Sequence, residues 1–360
     1  MADPVHPDPD RRTADRAGRA AGRLTRPAAA PHGLGQGQDR SPARRQVLGT
    51  LAIIVAALCF GTLGPLSRLA YDAGMTPLGF ATWRAFFGSA LLTVVLIILV
   101  RRGHALVRPR DVPRRARAAL AVAGAAGVIL NLGIFIAFGR ITVALALLAF
   151  YTYPALVAVV SIVVERRRPV RLEVVALVFA LSGMSLVVLG QLEPGAGLVV
   201  DGLGLGLAFL AAIAQTVYIT AGRNYGAVPT EQAATLLLWV ATVSFILIAL
   251  VTGSRDDLSE PFRNPAAWPE LLVAGLLGAG FPSLLFLVAI RFIGTVRTGI
   301  LAMLEPVTGT LLAAVILGET LGPVQVLGGV LVIAAGVILQ VAPSPAGAPP
   351  NQPIEAPAPA

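Results

Sequence analysis

Ten apolar runs divide the sequence between its two ends: 47–71, 77–100, 118–139, 142–164, 172–190, 202–222, 230–252, 269–291, 295–318 and 323–342. Each approaches or exceeds the ~20 residues that cross the hydrocarbon core of a bilayer as a helix. Membrane strands would be about half as long. In lipid, backbone polar groups must also be satisfied within the spanning segment. The pattern therefore predicts an all-α integral membrane protein.

Composition points the same way. Of the 360 residues, 56% are hydrophobic and only 13% are charged, whereas soluble domains are typically about a quarter charged. The formal charge is +9 and every one of the 28 basic residues is arginine. A strongly basic chain raises the question of nucleic acid, but most arginines sit in short loops between apolar runs, so no nucleic-acid partner is expected. Loop arginines instead report orientation. With the N-terminus in the cytoplasm, fourteen fall in inside loops, Arg291 and Arg297 among them, against Arg140, Arg255 and Arg263 outside. That bias predicts cytoplasmic termini and a multi-pass protein of the bacterial plasma membrane. Residues 1–45, with nine arginines and five aspartates, and the Pro/Ala-rich residues 343–360 read as disordered tails. Cys59 is the single cysteine, so no disulfide forms within the chain.

The two halves match at a shift of about 152 residues. Pro77 pairs with Pro229, Ala137 with Ala289, and Pro154 with Pro306. The near-absent loops GRIT (139–142) and FIGT (292–295) also correspond. Five spans per copy bring the chain out on the opposite side, so the second copy inserts upside down. Inverted repeats recur in secondary transporters, with the solute site near the midplane. The stretch LEPVTGTLLAAVILGETLGPVQVLGGVLVIAAGVIL near the C-terminus resembles the end of an EamA domain of the drug/metabolite transporter superfamily. YPALVAVVSIVVERRRPVRLEVVALVFALSGMSLVV is similar to its counterpart in the first copy. Two further stretches, GTLGPLSRLAYDAGMTPLGFATWRAFFGSALL and AAIAQTVYITAGRNYGAVPTEQAATLLL, resemble the two domain beginnings. The resemblance implies a ten-helix carrier built of five-helix repeats at 46–190 and 191–342, moving small metabolites or drugs, commonly outward. The copies differ where Tyr153-Pro154 stands opposite Glu305-Pro306, and the first is two residues shorter from Pro154 to Glu165 than the second from Pro306 to Glu319.

Glu305 lies near the centre of the ninth run, where a charged side chain costs roughly 2.5–3.5 kcal/mol on insertion scales. Thr298, Ala302, Glu305, Thr308 and Gly309 share one helix face, which should turn inward. Pro306 removes a backbone donor and frees a carbonyl one turn earlier, so Pro306 and its mate Pro154 are hinge candidates. Arg84 on the second run is the expected charge partner, as substrate or coupling group or as a structural ion pair. Asn131 and its repeat mate Ser283, with Gln215, Tyr218, Tyr151, Tyr153 and Trp83, complete the inward candidates; helix packing or an interfacial aromatic belt explains the same residues equally well. No metal or other cofactor is expected, since His6, His32 and His104 lie in a tail or a loop.

The reading that follows is a secondary active transporter exporting a small solute by alternating access, driven by a proton or counter-solute because no ATP-binding motif is present. A channel or non-transporting scaffold is the alternative. A membrane enzyme would need grouped acids, nucleophiles or ligands that the runs lack. Gly328, Gly329 and Gly336 are compatible with a homodimer and with packing inside one chain. Reporter fusions at both ends of the chain should be active on the cytoplasmic side only. Opposite signals at the two ends would remove the ten-span reading.

Overall fold

The computed structural model describes residues 42–138, 140–141, 143–164, 166, 169–190, 201–317 and 321–342. Nearly all of both predicted tails, Glu165, Arg167, Arg168 and Glu319 lie outside these residues. Among the described residues there are helices and no strand. In chain order they are α1 (Pro42–Gly61), α2 (Leu63–Asp72), α3 (Pro77–Arg101), α4 (Arg114–Phe138), α5 (Val143–Phe150), α6 (Tyr153–Val163), α7 (Arg171–Leu189), α8 (Gly202–Ala221) and α9 (Thr230–Val251). Then follow α10 (Arg255–Arg263), α11 (Trp268–Gly275), a π-helical segment (Leu276–Gly280), α12 (Phe281–Ile293), α13 (Thr295–Ala302), α14 (Leu304–Leu317) and α15 (Pro323–Val341). Among the described residues eight helical segments are long and apolar enough to cross a membrane. The α13–α14 pair and α15 occupy the places where the sequence predicts the ninth and tenth spans.

Local chemistry sets where these helices begin. Thr76 caps α3, its Oγ1 accepting from Gly79 N at 3.1 Å, with Pro77 in the first turn. Asp201 caps α8 in the same way, accepting from Gly204 N at 3.0 Å. At the start of α7, Glu173 Oε2 accepts from Val170 N at 3.2 Å. Its repeat mate Gln325 Oε1 accepts from Gly322 N at 2.6 Å at the start of α15. The same side-chain-to-backbone cap thus recurs 152 residues later with a neutral side chain.

Four prolines inside the spans explain four interruptions. Proline at position i cannot donate to the carbonyl at i−4 and its ring clashes with it. Helix α1 ends at Gly61, four before Pro65; α5 ends at Phe150, four before Pro154; α13 ends at Ala302, four before Pro306. At each break the next residue but one, or the next, tightens to a three-residue bond: Thr62 N to Cys59 O at 3.1 Å, Thr152 N to Ala149 O at 3.4 Å, and Met303 N to Ile300 O at 3.1 Å. Four before Pro282 lies Gly278, where the helix widens into the π segment instead of breaking. The ninth run is therefore a broken helix interrupted at Met303, rather than a continuous helix with a kink beside Glu305.

Packing follows the repeat. Helix α4 lies along α8, and the corresponding α12 lies along α1; α3 packs on its mate α9, and α7 on its mate α15. The largest buried cluster runs through α1, α6, α7, α9, α12, α13 and α15. The α7–α15 contact is close because both sides offer glycine: a methyl group on Gly183 would meet Gly328 O at 2.5 Å, and one on Gly328 would meet Gly183 O at 2.5 Å. Gly328 thus packs within the chain, while a methyl group on Gly336 would meet nothing nearer than 3.5 Å. Gly328→Leu should cost about 1–3 kcal/mol by overpacking, read as a lower melting temperature in detergent. Gly336→Ala should leave that temperature nearly unchanged.

Candidate functional site

The interruptions draw polar groups together. Pro282 leaves Gly278 O without its helical donor, and the Arg84 guanidinium fills that role, Nη1 to Gly278 O at 2.9 Å. Its Nη2 donates to Asn131 Oδ1 at 2.6 Å, and Asn131 Nδ2 donates to Gly127 O at 2.7 Å. The Phe135 ring lies 5.8 Å from the guanidinium carbon, within cation–π range. Arg84 is buried, and its Nε has no hydrogen-bond partner among the described residues. The buried Tyr71 hydroxyl, at the end of α2, is likewise unpartnered and within electrostatic range of Arg84. Leu63, just past the α1 break, packs against Gly278, so two interruptions touch.

Glu305 sits two residues past the Met303 break, half-buried. Its carboxyl group lies within electrostatic range of the Tyr151 hydroxyl and of Arg84. The guanidinium spends its hydrogen bonds on Gly278 and Asn131, so the two charges face each other without a direct bond. Tyr151 belongs to the mate break in the first repeat. Tyr151 and Tyr153 are both buried, their ring centroids 6.2 Å apart, with Phe150 at 5.3 Å from each. The Tyr153 hydroxyl reaches Gly299 O at 3.5 Å, and Thr216 Oγ1 donates to Tyr153 O at 3.4 Å.

Other predicted positions lie apart from this group. Trp83 donates to Leu258 O at 3.1 Å and stacks in an aromatic cluster with Phe262 and Trp268, centroids at 5.6 and 5.3 Å. It supports α10, which Glu260 docks onto the start of α3 by accepting from Thr76 N at 2.9 Å. Burial pushes the Glu260 carboxyl above its ordinary pKa, and those Thr76 hydrogen bonds pull it back. Ser283 is half-buried on α12 and Gln215 half-buried on α8; neither bonds another described residue. Tyr218 packs its ring within 3.7 Å of a methyl group built on Gly127, one turn from Asn131. Pro154 and Pro306 lie at the paired breaks. Among the described residues no three His, Cys, Asp or Glu side chains are grouped as metal ligands.

The EamA-like transporter family model matches this chain twice, over residues 47–189 and 202–341. The chain belongs to the EamA-like transporter family. It is 26% identical over 292 residues to an uncharacterized transporter of Archaeoglobus fulgidus, a match covering 81% of this chain and 95% of that protein. A solved crystal structure shares the fold with a TM-score of 0.65 at 20% identity, covering 81% of this chain and 95% of the other. Membership makes the protein a membrane transporter.

One further group in this EamA protein escaped the sequence. Arg297 and Arg291, expected as inside-loop charges, lie in helices, Arg297 buried and Arg291 half-buried. Arg297 Nε donates to Glu173 Oε1 at 3.1 Å, with side chains 4% and 0% exposed, and its Nη2 donates to Ala342 O at 3.2 Å. Arg291 Nη2 donates to Val228 O at 2.7 Å. The signal was present: Glu173 is the one acid in the fifth run, at the end that Arg297 also occupies. The repeat mates of Glu173 and Arg297 are Gln325 and Leu145, so the ion pair has no counterpart at the opposite end. There an exposed pair, Arg140–Asp201 at 2.6 Å, stands instead, and that hydrogen bond holds the Asp201 carboxyl below its usual pKa. Removing one member of a buried pair typically costs about 3–5 kcal/mol. Arg297→Gln should therefore lower the detergent melting temperature sharply. Arg140→Gln should barely move it, because solvent screens an exposed pair.

Proposed function

We propose that this EamA protein is a secondary active transporter that exports a small polar or amphipathic solute by alternating access between its two repeats. In this reading both termini face the cytoplasm and the protein lies in a bacterial plasma membrane. The observation that carries it is the convergence at the interruptions: Glu305 and Tyr151 stand at repeat-mate breaks, with Arg84 and Asn131 facing them. An ionisable group inside a membrane span is costly, and such groups mark solute or ion pathways. Half-helices joined at single tightened residues supply pivots at which the repeats can reorient.

Roles follow from chemistry. The Glu305 carboxylate accepts from cationic or donor groups of a solute, or takes up a proton in its absence. Arg84 Nε and the Tyr71 hydroxyl offer donors to an acceptor group on the solute. Phe150, Tyr151 and Tyr153 form an aromatic wall. The buried Glu173–Arg297 pair holds the cytoplasmic end closed in this conformation, and its rupture accompanies opening to that side.

In proteoliposomes with an imposed proton gradient, Glu305→Gln should abolish gradient-driven solute accumulation while leaving solute exchange intact. Unchanged accumulation in that variant would remove the coupling role. Flux that fails to saturate with solute concentration would favour a channel. No flux across a broad metabolite panel, together with a fixed binding partner, would favour a scaffold.

A further inference from the structure

The segment between α3 and α4 contains the densest exposed charge of the described residues. Seven arginines between positions 101 and 117 are all exposed, against Asp111 as the sole acid among them. Such a loop could be slack, its charge serving orientation alone. Its geometry is otherwise. Gln232, at the start of α9, grips the loop backbone at both polar groups of one residue: Val107 N donates to Gln232 Oε1 at 3.1 Å, and Gln232 Nε2 donates to Val107 O at 2.8 Å. Val107 and Val112 are buried beneath the loop. His104 N donates to Leu99 O, folding the chain back over the end of α3. Pro109 and Pro113 restrict the backbone between these anchors.

With Val107 and Val112 turned in, Arg108 and Arg110 are left exposed between them. Arg101 and Arg102 close α3 and Arg114 and Arg115 open α4, so the charges sit where the apolar helices end. That is the depth of lipid headgroups. Leu106, 45% exposed beside them, presents an apolar side chain at the same level. We infer that the loop 102–113, clamped by Gln232, is a docking platform for the headgroups of anionic phospholipids. Guanidinium groups bind phosphate oxygens through paired donors, which suits arginine to this task, and basic segments beside a membrane span are drawn to the anionic cytoplasmic leaflet. The inference rests on the proposed orientation only for the choice of leaflet. Because the clamp is on α9, which packs on α3, headgroup binding bears directly on the helix that carries Arg84.

The test is a titration of the detergent-solubilised full-length protein with phosphatidylglycerol or phosphatidylcholine, scored by lipid retention in native mass spectrometry. Arg108→Gln and Arg110→Gln should each weaken phosphatidylglycerol association about fivefold and leave phosphatidylcholine association unchanged. Gln232→Ala removes no charge, yet it should also weaken phosphatidylglycerol association by freeing the loop. Its unchanged elution and helicity would show that the fold survives. Arg255→Gln with Arg263→Gln, at the other end of the molecule, should have no effect. Equal losses from arginines at either end would overturn the platform, as would competition of phosphatidylglycerol by inorganic phosphate alone. Gln232→Ala with full phosphatidylglycerol affinity would overturn the clamp. Impermeant labelling of Ala105→Cys in a Cys59→Ser background, in vesicles of known sidedness, reads the leaflet separately. An outward-facing label would refute the orientation without touching the affinity result.

Discussion

A helix in lipid has no water to satisfy a carbonyl that loses its donor, and four intrahelical prolines each create one such carbonyl. The rest of this structure is arranged around that constraint. Helices α1, α5 and α13 stop at the residue four before Pro65, Pro154 and Pro306, and the break residues recover a bond three residues back. Threonine side chains supplement these ends, Thr62 Oγ1 to Cys59 O and Thr152 Oγ1 to Ala149 O, each at 2.7 Å. Those bonds tighten the turns before the breaks; of the four released carbonyls, the one on Gly278 is met by a charge, Arg84. An arginine buried in a membrane span would be prohibitive alone; as the donor to an otherwise orphaned carbonyl and to Asn131 it is compensated.

The repeat makes two of these interruptions symmetric and leaves two unmatched. Pro154 and Pro306 are mates, so Tyr151 and Glu305 arrive at corresponding breaks from opposite copies. Pro65 and Pro282 have no proline mates, being opposite Val217 and Leu130, and both fall in the single α1–α12 neighbourhood where Leu63 meets Gly278. Straight α4 and α8 form the equivalent pair on the other side. Asymmetry within a symmetric scaffold is thereby concentrated on one wall of the candidate site. The same logic separates the two ends of the molecule: a buried Glu173–Arg297 pair at one, an exposed Arg140–Asp201 pair at the other.

Several features were legible without coordinates because they depend on one-dimensional quantities. Run length and apolar content specify spanning helices. The shift of 152 residues pairs Pro154 with Pro306, and the inward face of the ninth run follows from three- and four-residue steps. The carbonyl released by Pro306 was legible too; the replacement of a kink by a full break three residues earlier was not, since it depends on Met303 finding a tightened bond. Trp83 shows the opposite limit. Its position in the second run is compatible with a cavity wall, yet α10 folds back over it and makes it a support for that surface helix. Arg297 shows another: an arginine two residues into a run reads as a loop charge until Glu173, 124 positions away, is brought against it.

What the sequence determined by itself is the class of molecule, its spans and the inverted duplication, because burial in lipid and backbone satisfaction act locally along each segment. What only the tertiary structure decided is which polar groups meet: Arg84 with Gly278 and Asn131, Glu305 with Tyr151, Arg297 with Glu173, Gln232 with Val107. Those pairings depend on how interrupted helices cross. The crossing follows from close glycine contacts and from orphaned carbonyls seeking donors, and neither has a signature at fixed sequence spacing.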